Sequence, residues 1–161
     1  MLTGKEDLLQ AIIEIYLMEK GINQFYSEVA VKAKSAEARE AFTVLANWEA
    51  EHVRYIQNFY QTLMDEREPV SFDEFAKKAR PDVAEGGTPL KELEQKMEDF
   101  VFLDDIGAIN FALKVEADEY NLYRRLASTT VNTNVRALSE EFMGWEQDHI
   151  KHLKKLLEKI D

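Results

Sequence analysis

From Leu8 onward apolar residues return every three or four positions, at Leu8, Leu9, Ile12, Ile15, Tyr16, Ile22, Tyr26 and Val29, the spacing of one buried face of an α-helix. Thr3 followed by Glu6 has the form of a capping box, so a first long helix is expected from about residue 4 to about 34. Ser35 can cap a second, with Glu37 and Glu40 near its positive end and Phe42, Leu45, Glu49, His52, Ile56, Phe59 and Leu63 at helical spacing. It should end near Arg67, ahead of Pro69. Asp104 or Asp105 can cap or restart a third helix running to about Ser128. Asn132 to Asn134 read as a polar break, after which Val135, Leu138, Phe142, Trp145, His149, Leu153, Leu156 and Ile160 mark a fourth. No stretch alternates as a strand, and the chain is expected to be all-α.

Between the second and third helices the pattern fails. Pro69, Pro81, Gly86-Gly87 and Thr88-Pro89 punctuate a linker in which only Phe72 to Ala79 and Leu90 to Phe100 suggest shorter helices. The expected organisation is one domain: a hairpin over 4–67, a crossover over 68–103 and a second hairpin over 104–161. At 161 residues such a chain can bury a sizeable core.

Composition narrows the chemistry. A formal charge of −11 disfavours nucleic acid as a partner, because that affinity rests on Lys and Arg neutralising phosphates, and makes cations the better partners. The absence of Cys removes disulfides, thiolate metal sites and thiol catalysis. The acidic start, the polar Gln10 and Glu14 and the lack of a small-residue cleavage site argue against a signal peptide, and no window is apolar enough to span a bilayer. A cytoplasmic location is expected by elimination.

An internal repeat carries the chemistry. Glu19 to Ala30 matches Glu116 to Ala127, with Tyr26 facing Tyr123, and Trp48-Glu49-x-x-His52 matches Trp145-Glu146-x-x-His149. The differences 116 − 19, 123 − 26, 146 − 49 and 149 − 52 all equal 97, so one gapless shift superimposes two helical hairpins. Each half keeps a Glu on its first helix and, on its second, a Glu and a His three residues apart, which share a helix face. One Glu from each of two helices and Glu-x-x-His from the other two is the donor set of di-iron carboxylate bundles. Four carboxylates would balance two ferrous ions, and the ligand types suit iron or manganese, with zinc also compatible.

The stretches from Glu19 to Tyr26 and from Leu45 to His52, together with their echoes, resemble the rubrerythrin branch of the ferritin-like superfamily over nearly the whole chain outside the linker. That resemblance implies a ferritin-like four-helix bundle with a long crossover between its second and third long helices. It also implies two iron ions bound by Glu19, Glu49, His52, Glu116, Glu146 and His149, about 3.5–4 Å apart, with Glu49 and Glu146 bridging. It further implies a redox activity toward hydrogen peroxide or dioxygen; iron oxidation and storage, or a metal-stabilised module without turnover, are the alternatives. Helix three carries an extra Glu119 where the first half has Ile22, and the resemblance makes it a switching ligand opposite His52. Because the Cys-rich rubredoxin domain of full-length rubrerythrins is missing, electrons must come from an external donor.

Tyr26 and Tyr123 lie two turns beyond Glu19 and Glu116 on the same face, where they can hydrogen-bond the metal carboxylates. Trp48 and Trp145 point about 100° away from the neighbouring Glu and are expected to pack between helices. His152 reads as a surface histidine, and Glu51 and Asp148 as neighbours that can orient the metal histidines. A homodimer is expected, and a crossover of this length permits exchange of hairpins between subunits.

Overall fold

The computed structural model describes residues 5–63, 95 and 104–160. Its long elements are four α-helices, α1 (Lys5–Lys32), α2 (Ala36–Leu63), α3 (Asp105–Thr129) and α4 (Thr133–Ile160), and no strand occurs among the described residues. The starts of α2, α3 and α4 are capped by side chains, while Thr3, the expected cap of α1, lies outside the described residues. Ser35 Oγ accepts the Ala38 N–H at 3.1 Å, and Asp104 accepts the Gly107 N–H at 2.8 Å. Asn132 Oδ1 accepts from the N–H groups of Asn134 and Val135, at 2.9 and 3.2 Å. The polar run before Val135 is thus the cap and first turn of α4 rather than a break ahead of it.

Three long-range links orient the helices. Both carboxylate oxygens of Asp105 accept backbone N–H groups of the α1–α2 turn, from Lys34 at 3.0 Å and Ser35 at 2.8 Å, so α3 begins where α1 ends. Tyr55 donates to Glu141 at 2.6 Å while His152 lies 3.4 Å from the Ala41 carbonyl, which makes α2 and α4 antiparallel. The edge contact of Phe25 with Phe111 and the bonds of Tyr26 to Glu116 and Tyr123 to Glu19 do the same for α1 and α3. Consequently α2 and α3 run in the same direction. The expected crossover between them, with its short helical pieces, lies outside the described residues apart from Gln95, which is helical.

The interior is layered. Ile13, Ile22, Phe42, Leu45, Ile56, Ile109, Phe142 and Leu153 are buried almost completely, each such side chain contributing about 1.5–3 kcal/mol by leaving water. The middle turns of all four helices carry acidic residues into this same interior. No described helix is long and apolar enough to cross a membrane.

Candidate metal centre

Glu19, Glu49, Glu116 and Glu146 are 0% exposed, and His52, His149 and Glu119 are 2–3% exposed. Five carboxylates and two imidazoles therefore meet inside the bundle. Each comes from the middle of a helix, and the three-residue spacing within α2 and α4 puts each histidine above its own helix's glutamate, at 3.1 Å for His52 and Glu49 and 3.2 Å for His149 and Glu146.

Around each imidazole Nδ1 three carboxylates converge. His52 Nδ1 lies 3.2 Å from Glu19 Oε2, 3.1 Å from Glu49 Oε2 and 3.6 Å from Glu146 Oε1. His149 Nδ1 lies 2.9 Å from Glu116 Oε2, 3.0 Å from Glu49 Oε1 and 3.2 Å from Glu146 Oε2. Glu19 and Glu116 each serve one histidine, whereas Glu49 and Glu146 turn one oxygen toward each. Glu119 closes a further group with Glu19 and Glu146, one oxygen from each lying within 4.8 Å of the others.

The remaining oxygens of the outer glutamates are held by the tyrosines, in a crossed arrangement. Tyr26 of α1 donates to Glu116 Oε1 of α3, and Tyr123 of α3 donates to Glu19 Oε1 of α1. The repeat explains the crossing. Two halves related by a shift of 97 meet as the two sides of an isologous interface do, so a contact from one half to the other recurs with the roles exchanged.

Electrostatics show how the cluster balances itself with protons. Burial alone would push the Glu19 carboxyl up, but the His52 charge and hydrogen bonds beside it bring it down to about 2. Burial, reinforced by the charges of Glu19 and Glu116, pushes Glu49 up to about 8. Burial and neighbouring carboxylates likewise hold Glu146 and Glu119 well above the ordinary range. Burial opposes a charge on the histidines, yet their glutamate partners outweigh it and raise His52 to about 10 and His149 to about 11. Burial and the adjacent carboxylates raise both tyrosine hydroxyls well above 10, keeping them donors.

The tryptophans have partners that helical phase did not reveal. Both lie between α2 and α4, but each stacks on a cluster histidine of the opposite hairpin: Trp48 on His149, with ring centroids 4.9 Å apart and planes 10° apart, and Trp145 on His52 at 4.9 Å and 19°. The two imidazoles stack on each other at 5.0 Å and 9°. A pocket of about 290 Å³ opens along this groove, lined by Trp48, Glu51, His52, Trp145, Asp148 and His149. Glu51 and Asp148 do not orient the histidines; they are exposed and pair with Arg54 and Lys151. His152 is half-buried, edge-on to Trp48, and belongs to none of the ligand clusters.

A metal pair fits this donor set. One imidazole N–H satisfies one acceptor, yet three carboxylates surround each Nδ1, and the oxygens of Glu49, Glu119 and Glu146 accept no well-directed hydrogen bond. Buried carboxylates in such number are costly unless protons or cations neutralise them. Glu19, Glu49 and His52 form one ligand group, and Glu49, Glu116, Glu146 and His149 a second that shares Glu49. No model of a known protein family, no curated protein and no solved structure matches the chain.

Proposed function

We propose that the chain is a rubrerythrin-type, ferritin-like protein that holds two divalent metal ions, iron in its working state, and reduces hydrogen peroxide or dioxygen with electrons from a separate donor. The observation that carries this reading is the division of Glu49 and Glu146, each offering one oxygen toward His52 and the other toward His149. Carboxylates so divided could offer one oxygen to each of two ions. Glu19 and Glu116 would be the terminal ligands, and the parallel run of α2 and α3 is what a ferritin-like crossover requires.

A pair of ferrous ions would supply one electron each, the two that reduction of a peroxide to two waters consumes. Tyr26 and Tyr123 keep their protons and hold one oxygen of Glu116 and Glu19, so that the other oxygen of each, which lies against a histidine Nδ1, would be the one offered to a metal. Among the described residues nothing donates a hydrogen bond to Glu119, which sits beside Glu19 and Glu146, where a carboxyl can hold a proton or swing toward an ion. These 161 residues contain no Cys, so no Cys-ligated centre among them can re-reduce the ions.

Metal analysis of protein purified without added metal, followed by stopped-flow oxidation of the anaerobically reduced form, tests the proposal. Two irons per chain and faster oxidation by peroxide than by dioxygen are expected. Preference for dioxygen would move the assignment to an oxidase or ferroxidase, and absence of reaction with either would leave a metal-stabilised structural module.

A further inference from the structure

We infer that Trp48 and Trp145 are positioning residues, each setting the metal-binding pose of the opposite hairpin's histidine, so that each half of the centre is tuned from the other half. The inference rests on the two-metal reading and adds to it a role for residues that touch no metal.

Four rings lie in one stack, in the order Trp48, His149, His52, Trp145, alternating between α2 and α4. Each imidazole thus has an indole and the other imidazole in near-parallel contact, and His52 has Phe142 as well, at 5.1 Å and 26°. This matters because a histidine's outer torsion is soft, and tilting the ring out of its plane would carry Nδ1 away from the carboxylates. Metal-binding histidines are usually held in their orientation by a hydrogen bond from the second ring nitrogen. Here neither Nε2 makes a hydrogen bond among the described residues, and both histidine contacts with carboxylates run through Nδ1. Flat contact with an indole takes over the orienting task.

The assignment is crossed. Trp48 belongs to the first hairpin but faces His149, in the half that contains Glu116; Trp145 belongs to the second but faces His52, in the half that contains Glu19. Both pairs obey one antiparallel register between α2 and α4. The tyrosines cross in the same sense, so each hairpin supplies ligands whose pose depends on the other.

The chain has two tryptophans, and both are in the stack, so fluorescence excited selectively in the indole band reports on the centre. Co²⁺ titrated into the full-length metal-free protein, followed by calorimetry and fluorescence, separates the halves. Wild type should take up two ions, with quenching of both indoles. Trp48→Leu should weaken one ion by roughly tenfold or more, the scale of a lost ligand-orienting contact, while the remaining Trp145 is still quenched by the first equivalent at near wild-type affinity. Trp145→Leu should weaken the other ion, read through Trp48, by a smaller factor, because Phe142 still stacks on His52. Trp48→Phe, which keeps a flat face, should restore most of the loss. Equal weakening of both ions in the leucine variants, the signature of a loosened bundle, overturns the inference, as does undiminished binding of both. Wild-type protein that binds no Co²⁺ would overturn the metal reading itself, and this inference with it.

Discussion

Metal loading should expel protons, and the structure sets the least number. In the metal-free cluster His52 and His149 are raised to about 10 and 11 and Glu49 to about 8. At pH 7 these three hold a proton, and each must lose it to bind through Nδ1 or a carboxylate oxygen. Glu19, brought down to about 2, has none to give. Uptake of two divalent ions should thus release at least three protons, and the combined affinity for the pair should rise by at least three powers of ten per pH unit below pH 8. Above pH 8 the slope should fall by about one as Glu49 ionises on its own. Calorimetric titration in two buffers of different ionisation enthalpy measures the release directly, and competition with a chelator across pH 6 to 8 gives the slope. Two unperturbed histidines would release together only about half a proton at pH 7. A result near that value would refute the claim that neighbouring carboxylates hold the histidines charged.

The same shifts set the acid–base stability of the metal-free protein. Glu49 folds with its proton affinity raised, so its contribution is full below about pH 4.5 and is lost as pH rises through about 8; the histidines, raised from 6.5, lose theirs toward pH 10–11. Glu19 is lowered, so its contribution vanishes as pH falls from 4.5 through about 2. Thermal unfolding of the metal-free protein should therefore show a midpoint falling steadily from about pH 5 to 9, and loaded protein should unfold higher at pH 7; equal midpoints would contradict the burial argument. Tyr26→Phe should leave Glu116 Oε1 without its donor and cost about 1.5–3 kcal/mol in denaturant unfolding, with Tyr123→Phe similar at Glu19. Glu119→Ala should change turnover with peroxide more than iron content, and crystals of both redox states that keep Glu119 away from the metals would exclude it from the reaction.

What the sequence determined by itself was whatever depends on local geometry or on self-comparison. Helical spacing placed four long helices within a few residues of their ends, because amphipathic periodicity and side-chain caps are local signals. The exception was the start of α4, where Asn132 caps a turn that looked like a break. The shift of 97 singled out Glu19, Glu49, His52, Glu116, Glu146 and His149, since one face of a helix needs only i and i+3 to be known. The tertiary structure decided everything that depends on register between the hairpins. No spacing within α2 says that Glu49 divides its oxygens between His52 and a histidine nearly a hundred residues away. Nor could it say that Tyr26 bonds Glu116 rather than its own half's Glu19, or that Trp48 lies on His149. Those pairings follow from antiparallel packing about a pseudo-twofold axis. The repeat made such an axis possible, and the contacts Asp105 makes with the α1–α2 turn and Tyr55 makes with Glu141 set the helix directions around it.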